Sequence, residues 1–376
     1  MRIRFLLALA LAVAPVGGFA QCFKLAEVNA EKPEGQLLQQ IGQESDEAKK
    51  LALLEKFTAE YPQHEAAGWV LEQAQAAYLK ANNPDKALEA GEKILALAPT
   101  CVESAHQSLK AAEAKKDADL ILKWSAATSG AALKVINSPK PSDEAEAESW
   151  KGRVDWAKQV NTYAEYSLYA AALQNPDPKK KIALVGALEQ RNPASEYVAK
   201  AYGTLFLAYR QAGENDKALV LAEKVLAKDQ SDPDMLLVVS SDYLAKKKDH
   251  EKVHAYTAKV VEVVNAQPKP EGVSDADWLK VKNARLGAAH FMNGTLYYAE
   301  SNWGEVDKQL RAALPVLDNP QMKAEALYYL GFANYKLEKA QEAADYYRQC
   351  AAIKSRFQAL ATKNLQGIKA QYRGIK

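Results

Sequence analysis

The chain has 376 residues, 48% of them hydrophobic and 26% charged, and 68 are alanine. That length exceeds what one compact core usually organises, unless the chain is an elongated repeat array in which each unit packs only on its neighbours. Eighteen glycines and 15 prolines exclude a low-complexity or collagen-like chain, and the alanine and charge content points to helix nearly throughout.

The N-terminus carries Arg2 and Arg4, an apolar run from Phe5 to Val16, and small residues at Gly18 and Ala20. This is the layout of a secretory signal peptide, and the run is shorter than the roughly 20 residues a membrane-spanning helix needs. Cleavage is expected after Ala20, which places the mature chain in the periplasm or the secreted space. Loss of Arg2 and Arg4 leaves 47 basic against 47 acidic side chains. Such a neutral surface gives no electrostatic case for nucleic acid or anionic membrane. No later stretch is apolar enough to span a bilayer.

Cys22, Cys101 and Cys350 are odd in number and widely spaced, so they do not read as a disulfide framework. Cys22 lies two residues past the expected cleavage point and raises a lipid-anchored assembly factor as an alternative. Gln21 stands where a lipid attachment box wants a small residue. Residues 21–35 are expected to be a disordered tether, followed by a helical array over 36–376.

Self-comparison organises that array. Asp85–Ala96 (DKALEAGEKILA) recurs as Asp216–Ala227 (DKALVLAEKVLA) at an offset of 131, which also aligns Pro62 with Pro193 and Tyr78 with Tyr209. Pro139-Lys140-Pro141 matches Pro268-Lys269-Pro270, and an offset near 128 aligns Trp150 with Trp278 and Tyr169 with Tyr297. Within these units, Leu71, Ala74, Tyr78, Ala87, Ile94 and Leu95 fall at helical spacing, interrupted by Asn82-Asn83-Pro84, a turn and a helix start. Two antiparallel helices follow. Longer helices are expected over Asp143–Gln174 and Asp275–Glu300, each after a proline-marked loop.

Ala324–Ser355 repeats the scheme with Leu327, Leu330-Gly331, Ala343 and Tyr347. These residues resemble the tetratricopeptide repeat, a 34-residue helix-turn-helix. They fill its positions 4, 7 and 8, 20 and 24, with Asn334 departing at 11 and Ser355 at 32. A first copy near 68–101 supplies Leu71, Tyr78, Ala87 and Pro99 but puts Gln75 at position 8. A third near 199–232 has Phe206 there. Looser copies run near 234–265 and 287–318, and the best runs over 324–357. A polar capping helix is expected over Arg356–Tyr372. The resemblance implies an all-α, right-handed superhelical solenoid of antiparallel helix pairs, of an exported bacterial type.

It also implies a concave groove lined by positions 2, 5, 9 and 12 of each first helix. That register gives Trp69, Glu72, Ala76 and Leu79, then Lys200, Gly203, Leu207 and Arg210. Further copies offer Phe291, Thr295 and Tyr298, then Glu325, Tyr328, Phe332 and Tyr335. The aromatic set Phe291, Tyr298, Tyr328, Phe332 and Tyr335 is a candidate apolar anchor surface, with core packing between hairpins as its alternative.

His250-Glu251-Lys252-Val253-His254 spells H-E-x-x-H, which on a helix aims two imidazoles at a zinc ion and leaves the glutamate as general base. The downstream Glu271 is a candidate third ligand. The residue after Glu251 is Lys252 where zinc peptidases have an apolar one, and Val253 takes the packing slot of an ordinary second helix. Exposed histidines without metal are the favoured reading over a zinc metallopeptidase. Serine-hydrolase, phosphate-loop and dinucleotide motifs are absent. The sequence therefore reads as a non-catalytic scaffold for a protein or peptide partner, with no cofactor and no metal.

Overall fold

The computed structural model describes residues 22–25 and 28–375, so the expected leader and its cleavage site lie outside the described residues. The described residues form seventeen α-helices and one 3-10 turn, with no strand. The chain divides into two compact units, 1–212 and 213–376. The N-terminal unit holds α1 (Pro33–Gln43), α2 (Glu47–Glu60), α3 (Ala67–Lys80), α4 (Pro84–Leu97), α5 (Val102–Lys115), α6 (Ala118–Ile136), α7 (Glu144–Gln174), α8 (Pro178–Arg191) and α9 (Glu196–Gln211). The C-terminal unit holds α10 (Asn215–Leu226), α11 (Pro233–Ala245), α12 (His250–Ala266), α13 (Asp275–Ala299), α14 (Trp303–Ala313), α15 (Pro320–Lys336), α16 (Ala340–Ala351) and α17 (Gln358–Gln371).

Local chemistry fixes where each helix begins and ends. Asp46, Asn83, Asp117, Asp143, Asp177, Asp232, Asp249, Ser274, Asn302 and Asn319 each cap a helix N-terminus by accepting backbone N–H groups. Pro33, Pro84, Pro178, Pro233 and Pro320 sit in the first turn, where no backbone donor is needed. Four of the turns between consecutive helices share one construction. Asn82, Lys247, Ser301 and Glu338 adopt positive φ, and the next residue donates back to a carbonyl five residues earlier: Asn83 to Tyr78 at 2.8 Å, Lys248 to Tyr243 at 2.8 Å, Asn302 to Tyr297 at 3.0 Å and Lys339 to Asn334 at 2.9 Å. This Schellman closure satisfies the last carbonyls of the first helix and reverses the chain in three residues.

Each unit is a stack of antiparallel helices in which every helix packs on its sequence neighbours within the unit. The odd-numbered helices also meet one another, α3 with α5, α5 with α7 and α7 with α9 in one unit, α11 with α13 and α13 with α15 in the other. They form an inner layer in each unit. Small residues allow this approach: Ala74, Ala87, Ala105, Ala131, Ala157 and Ala164 are buried in the N-terminal unit, and Ala289, Ala313, Ala324, Ala326, Ala333 and Ala343 in the C-terminal one.

Two expectations are corrected. Cys22 and Cys101 form a disulfide across 79 residues, while Cys350 is free and buried. Spacing alone could not reveal this pair, because the loop between them is a folded double hairpin that returns α5 to the N-terminal segment. Nor do the described residues of 21–35 form a free tether. Phe23, Leu25 and Val28 pack against the buried cluster that contains Trp69, and α1 starts at Pro33.

Candidate functional site

Three of the sequence-derived groove positions behave differently from one another. Trp69 on α3 is buried among Leu37, Leu38, Ile41, Leu54 and Phe57, so it is a packing residue and not a groove anchor. Glu72, one turn on, is already engaged: its carboxylate accepts the Cys22 N–H at 2.9 Å and the Phe23 N–H at 3.3 Å. Burial raises its pKa above the ordinary carboxylate range, with these two hydrogen bonds opposing. The chain's own segment 22–25 thus lies over the groove face of the first repeat. Gly68 is required there, since a Cβ would run into the Phe23 ring. Arg210, by contrast, is exposed near the end of α9, on a face where Lys200 and Leu207 are also exposed.

The C-terminal aromatics are half-buried and packed on the core. Tyr298 stacks on Tyr329 at 4.0 Å and meets Phe332 edge-on at 5.5 Å, with Trp303 closing the group. Tyr328 turns the other way, stacking on Phe357 at 5.0 Å and touching Tyr347. Tyr335 donates its hydroxyl to Gln371 on α17 at 3.2 Å, and Phe291 packs on the same core. Tyr298, Tyr328 and Phe332 therefore join hairpins and are only partly exposed.

A more open aromatic surface lies on the inner layer of the N-terminal unit. Rings run from α5 across α7 to α9: His106 against Trp156 at 5.7 Å and Tyr163 at 4.9 Å, Tyr163 to Tyr166 at 6.2 Å, Tyr166 to Tyr197 at 5.7 Å, and Tyr197 stacked on Tyr169 at 5.6 Å. His106 is buried, which pushes its pKa down to about 4, with nearby Lys110 adding to the shift; it serves as a neutral ring. Tyr163 donates to Glu113 at 2.7 Å, and burial together with that carboxylate raises its phenol pKa. Tyr166 is 45% exposed. Beside it opens a cavity of about 410 Å³ lined by Tyr163, Tyr166, Ile121, Ala170, Ala171 and Pro176, with Glu113 and Lys116 at its edge. At the far end Lys200 covers Tyr197 at 5.2 Å and leads on to the exposed face of α9.

The sequence reading expected a long helix over Asp143–Gln174 but gave it no groove register, so this surface was not among its candidates. The signal was present: Trp156, Tyr163, Tyr166 and Tyr169 recur at spacings of seven, three and three, a slowly turning stripe on one helix. Only folding brings His106 and Tyr197 to it.

The H-E-x-x-H residues also gain a neighbour. Glu271 sits in the exposed loop before α13. The carboxylate that meets the histidines is Glu300, at the end of α13.

No family model matches the chain, and no curated protein matches it. Among solved structures, the TPR domain of P58(IPK) aligns with 91% of this chain and 100% of its own at 13% identity and a TM-score of 0.27. Yeast Tom70 aligns with 91% of this chain and 97% of its own at 12% identity and a TM-score of 0.23. The Cut9–Hcn1 hetero-tetramer of APC/C contributes a chain aligned with 91% of this one and 84% of its own, at 13% identity and a TM-score of 0.22. The helix pairing described above rests on turns, caps and packing within this chain.

Proposed function

We propose that this protein is an exported, non-catalytic scaffold that holds an apolar segment of a protein or peptide partner along the inner layer of its N-terminal unit. The observation that carries the reading is the ring series His106, Trp156, Tyr163, Tyr166, Tyr197, which runs across three helices beside a cavity large enough for one or two side chains. Aromatic rings supply large contact area at small conformational cost, and a surface held by stacked helices is organised before the partner arrives. Lys200 and Arg210 extend the face with positive charge, which suits a partner with acidic residues beside its apolar anchor.

The test is a peptide array probed with the mature chain and with a Tyr166→Ala, Tyr197→Ala double variant. Selective capture of aromatic or aliphatic peptides by the wild type, lost in a variant with unchanged helical circular dichroism, supports the scaffold. Equal capture by both proteins overturns this surface as the site.

The disulfide supports export. A Cys22–Cys101 bond persists in oxidising compartments and not against a cytosolic thiol pool. A Cys22 Sγ bonded to Cys101 also has no valence left for a thioether-linked lipid, which favours the cleaved, unlipidated chain over the anchored one. N-terminal sequencing of exported material, with thiol titration of denatured and unreduced protein, checks both: a start at Gln21 and one reactive thiol are expected. An intact Met1 or three reactive thiols contradicts the export reading.

A further inference from the structure

We infer that the Cys22–Cys101 disulfide is an exchangeable latch: a protein dithiol of the thioredoxin class reduces it by attack at Cys22, Glu72 carries the proton for the departing Cys101 sulfur, and residues 22–25 are thereby released from the first repeat. This concerns a face other than the aromatic surface of α5, α7 and α9, and it does not depend on what that surface binds.

The segment that the bond holds is laid across several helices. Phe23 packs on the cluster around Phe57 and Trp69 and also on the cluster of Leu71, Ile94 and Cys101. Its ring fills the space over Gly68, where a Cβ would come within 2.4 Å of it. The Cys22 N–H donates to Glu72 Oε1 and the Phe23 N–H to Oε2. Two hydrogen bonds and one ring are a small hold against the entropy of ordering the backbone, so the covalent bond decides whether the segment stays.

The two sulfurs differ in access. Cys22 is partly exposed, whereas Cys101 is 1% exposed. Exchange proceeds by attack of a thiolate on a disulfide sulfur it can reach, which here is Cys22 Sγ. The incoming sulfur bonds to Cys22, the Cys22–Cys101 bond breaks, and its electron pair leaves on Cys101 Sγ. That sulfur lies in an apolar cluster with Leu71 and Ile94, where a thiolate is unfavourable.

Glu72 Oε1 lies 3.5 Å from the Cys101 sulfur. Burial raises the pKa of this carboxyl and the like charge of Glu103 adds to the rise, against the two N–H groups. A carboxyl so placed passes its proton to Cys101 as the bond breaks. The second thiol of the reductant then displaces Cys22 from the mixed disulfide, and the protons of the dithiol, through solvent, restore Glu72 and protonate Cys22. One dithiol has become one disulfide, and this chain has gained two thiols.

Reduction also loosens the noncovalent hold. The Cys101 thiol donates to the same Oε1 that accepts the Cys22 N–H, so each bond weakens the other. Departure of Phe23 opens the α3 face at Gly68 and Glu72.

The mature, oxidised chain is treated with glutathione, or with thioredoxin as the dithiol, and thiol appearance is followed after acid quench. Peptide mapping should find glutathione on Cys22 and not on Cys101. Glu72→Gln keeps the side-chain volume but carries no proton, and its reduction should slow by about tenfold or more. A Glu72 that only anchors the segment predicts the reverse, since losing that hold would speed attack. Tryptic cutting after the exposed Lys24 reports release and should accelerate by about tenfold on reduction of the wild type, with Cys22→Ser cut at the raised rate without reductant. Helical circular dichroism of each variant guards against loss of fold. An adduct on Cys101, equal or faster reduction of Glu72→Gln, or unchanged cutting at Lys24 after reduction overturns the inference.

Discussion

Hairpins α3–α4 and α15–α16 share the same turn and the same buried alanine on the second helix, Ala87 in one and Ala343 in the other, yet they close their seams in opposite ways. In α15–α16 the first helix supplies the gap and the second fills it: Gly331 lies under the ring of Tyr347, and a Cβ at Gly331 would come within 2.8 Å of that ring. In α3–α4 the first helix supplies the bulk and the second the gap. Gln75 occupies the slot of Gly331, and Gly91 the slot of Tyr347, where a Cβ would overlap Ser108 Oγ and the Gln75 amide.

Gln75 is buried and fully satisfied. Its Nε2 donates to Ala87 O at 3.2 Å, Ser104 O at 3.1 Å and Ser108 Oγ at 2.9 Å, while Ser104 donates to Oε1 at 2.7 Å. One hairpin is thus joined to its neighbour by rings, the other by a polar knot. Volume across the seam is conserved while chemistry is free to change, which explains how single departures from the repeat pattern are absorbed.

Removing the filler from the aromatic seam is expected to have the largest effect. Tyr347→Ala should destabilise the C-terminal unit by about 3–5 kcal/mol, as truncation of a buried aromatic does, and denaturant unfolding measures it. The N-terminal unit has a covalent tie, from Cys22 to Cys101 at the start of α5, that the described residues of the C-terminal unit lack. Cys22→Ser should lower stability by about 2–4 kcal/mol under oxidising conditions and make no difference once the wild type is reduced.

Acid distinguishes the two regions as well. His106, on α5 behind the α3–α4 hairpin, has a folded pKa near 4, below the ordinary 6.5 of the free side chain. The unfolded chain therefore takes up the proton first as pH falls below 6.5. The stability this group contributes is complete above that value and is lost progressively down to pH 4, by roughly 2–3 kcal/mol. Urea unfolding across that interval should show the slope in the wild type and a flatter profile in His106→Gln.

The smallest expected effects come from added methyl groups. Gly91→Ala and Gly331→Ala should each cost about 1–3 kcal/mol by overpacking. Their contexts separate them: shortening the facing ring in a Gly331→Ala, Tyr347→Leu pair should recover part of the loss, a non-additive result that a double-mutant cycle detects. For Gly91, replacing Gln75 by alanine leaves the closer overlap with Ser108 Oγ in place and deprives Ser104 Oγ of its acceptor, so no recovery is expected.

Much of the architecture was legible in the chain. Asn82-Asn83-Pro84, the alanine spacing and the Leu330-Gly331 pair are local signals, because a hairpin closes within about 34 residues and its small residues are chosen by the helix a turn away. The candidate surfaces were less so. Trp69 looked like a groove residue by register, but the described part of the N-terminal segment and α1 cover it. Tyr328 followed the register too, and the approach of α17 with Phe357 turned it into a joint between helices. Each outcome was set by an element outside the repeat itself.

By itself the sequence determined the helical class, the caps and turns, and a nearly balanced formal charge of +2. These depend on backbone hydrogen bonding and side-chain volume within one or two turns. Tertiary structure alone decided that Cys22 meets Cys101, that rings from α5, α7 and α9 line up, and that Glu300 meets His250 and His254. Such meetings depend on how far each helix runs before it turns back, and a residue's spacing along the chain does not record which neighbour arrives beside it.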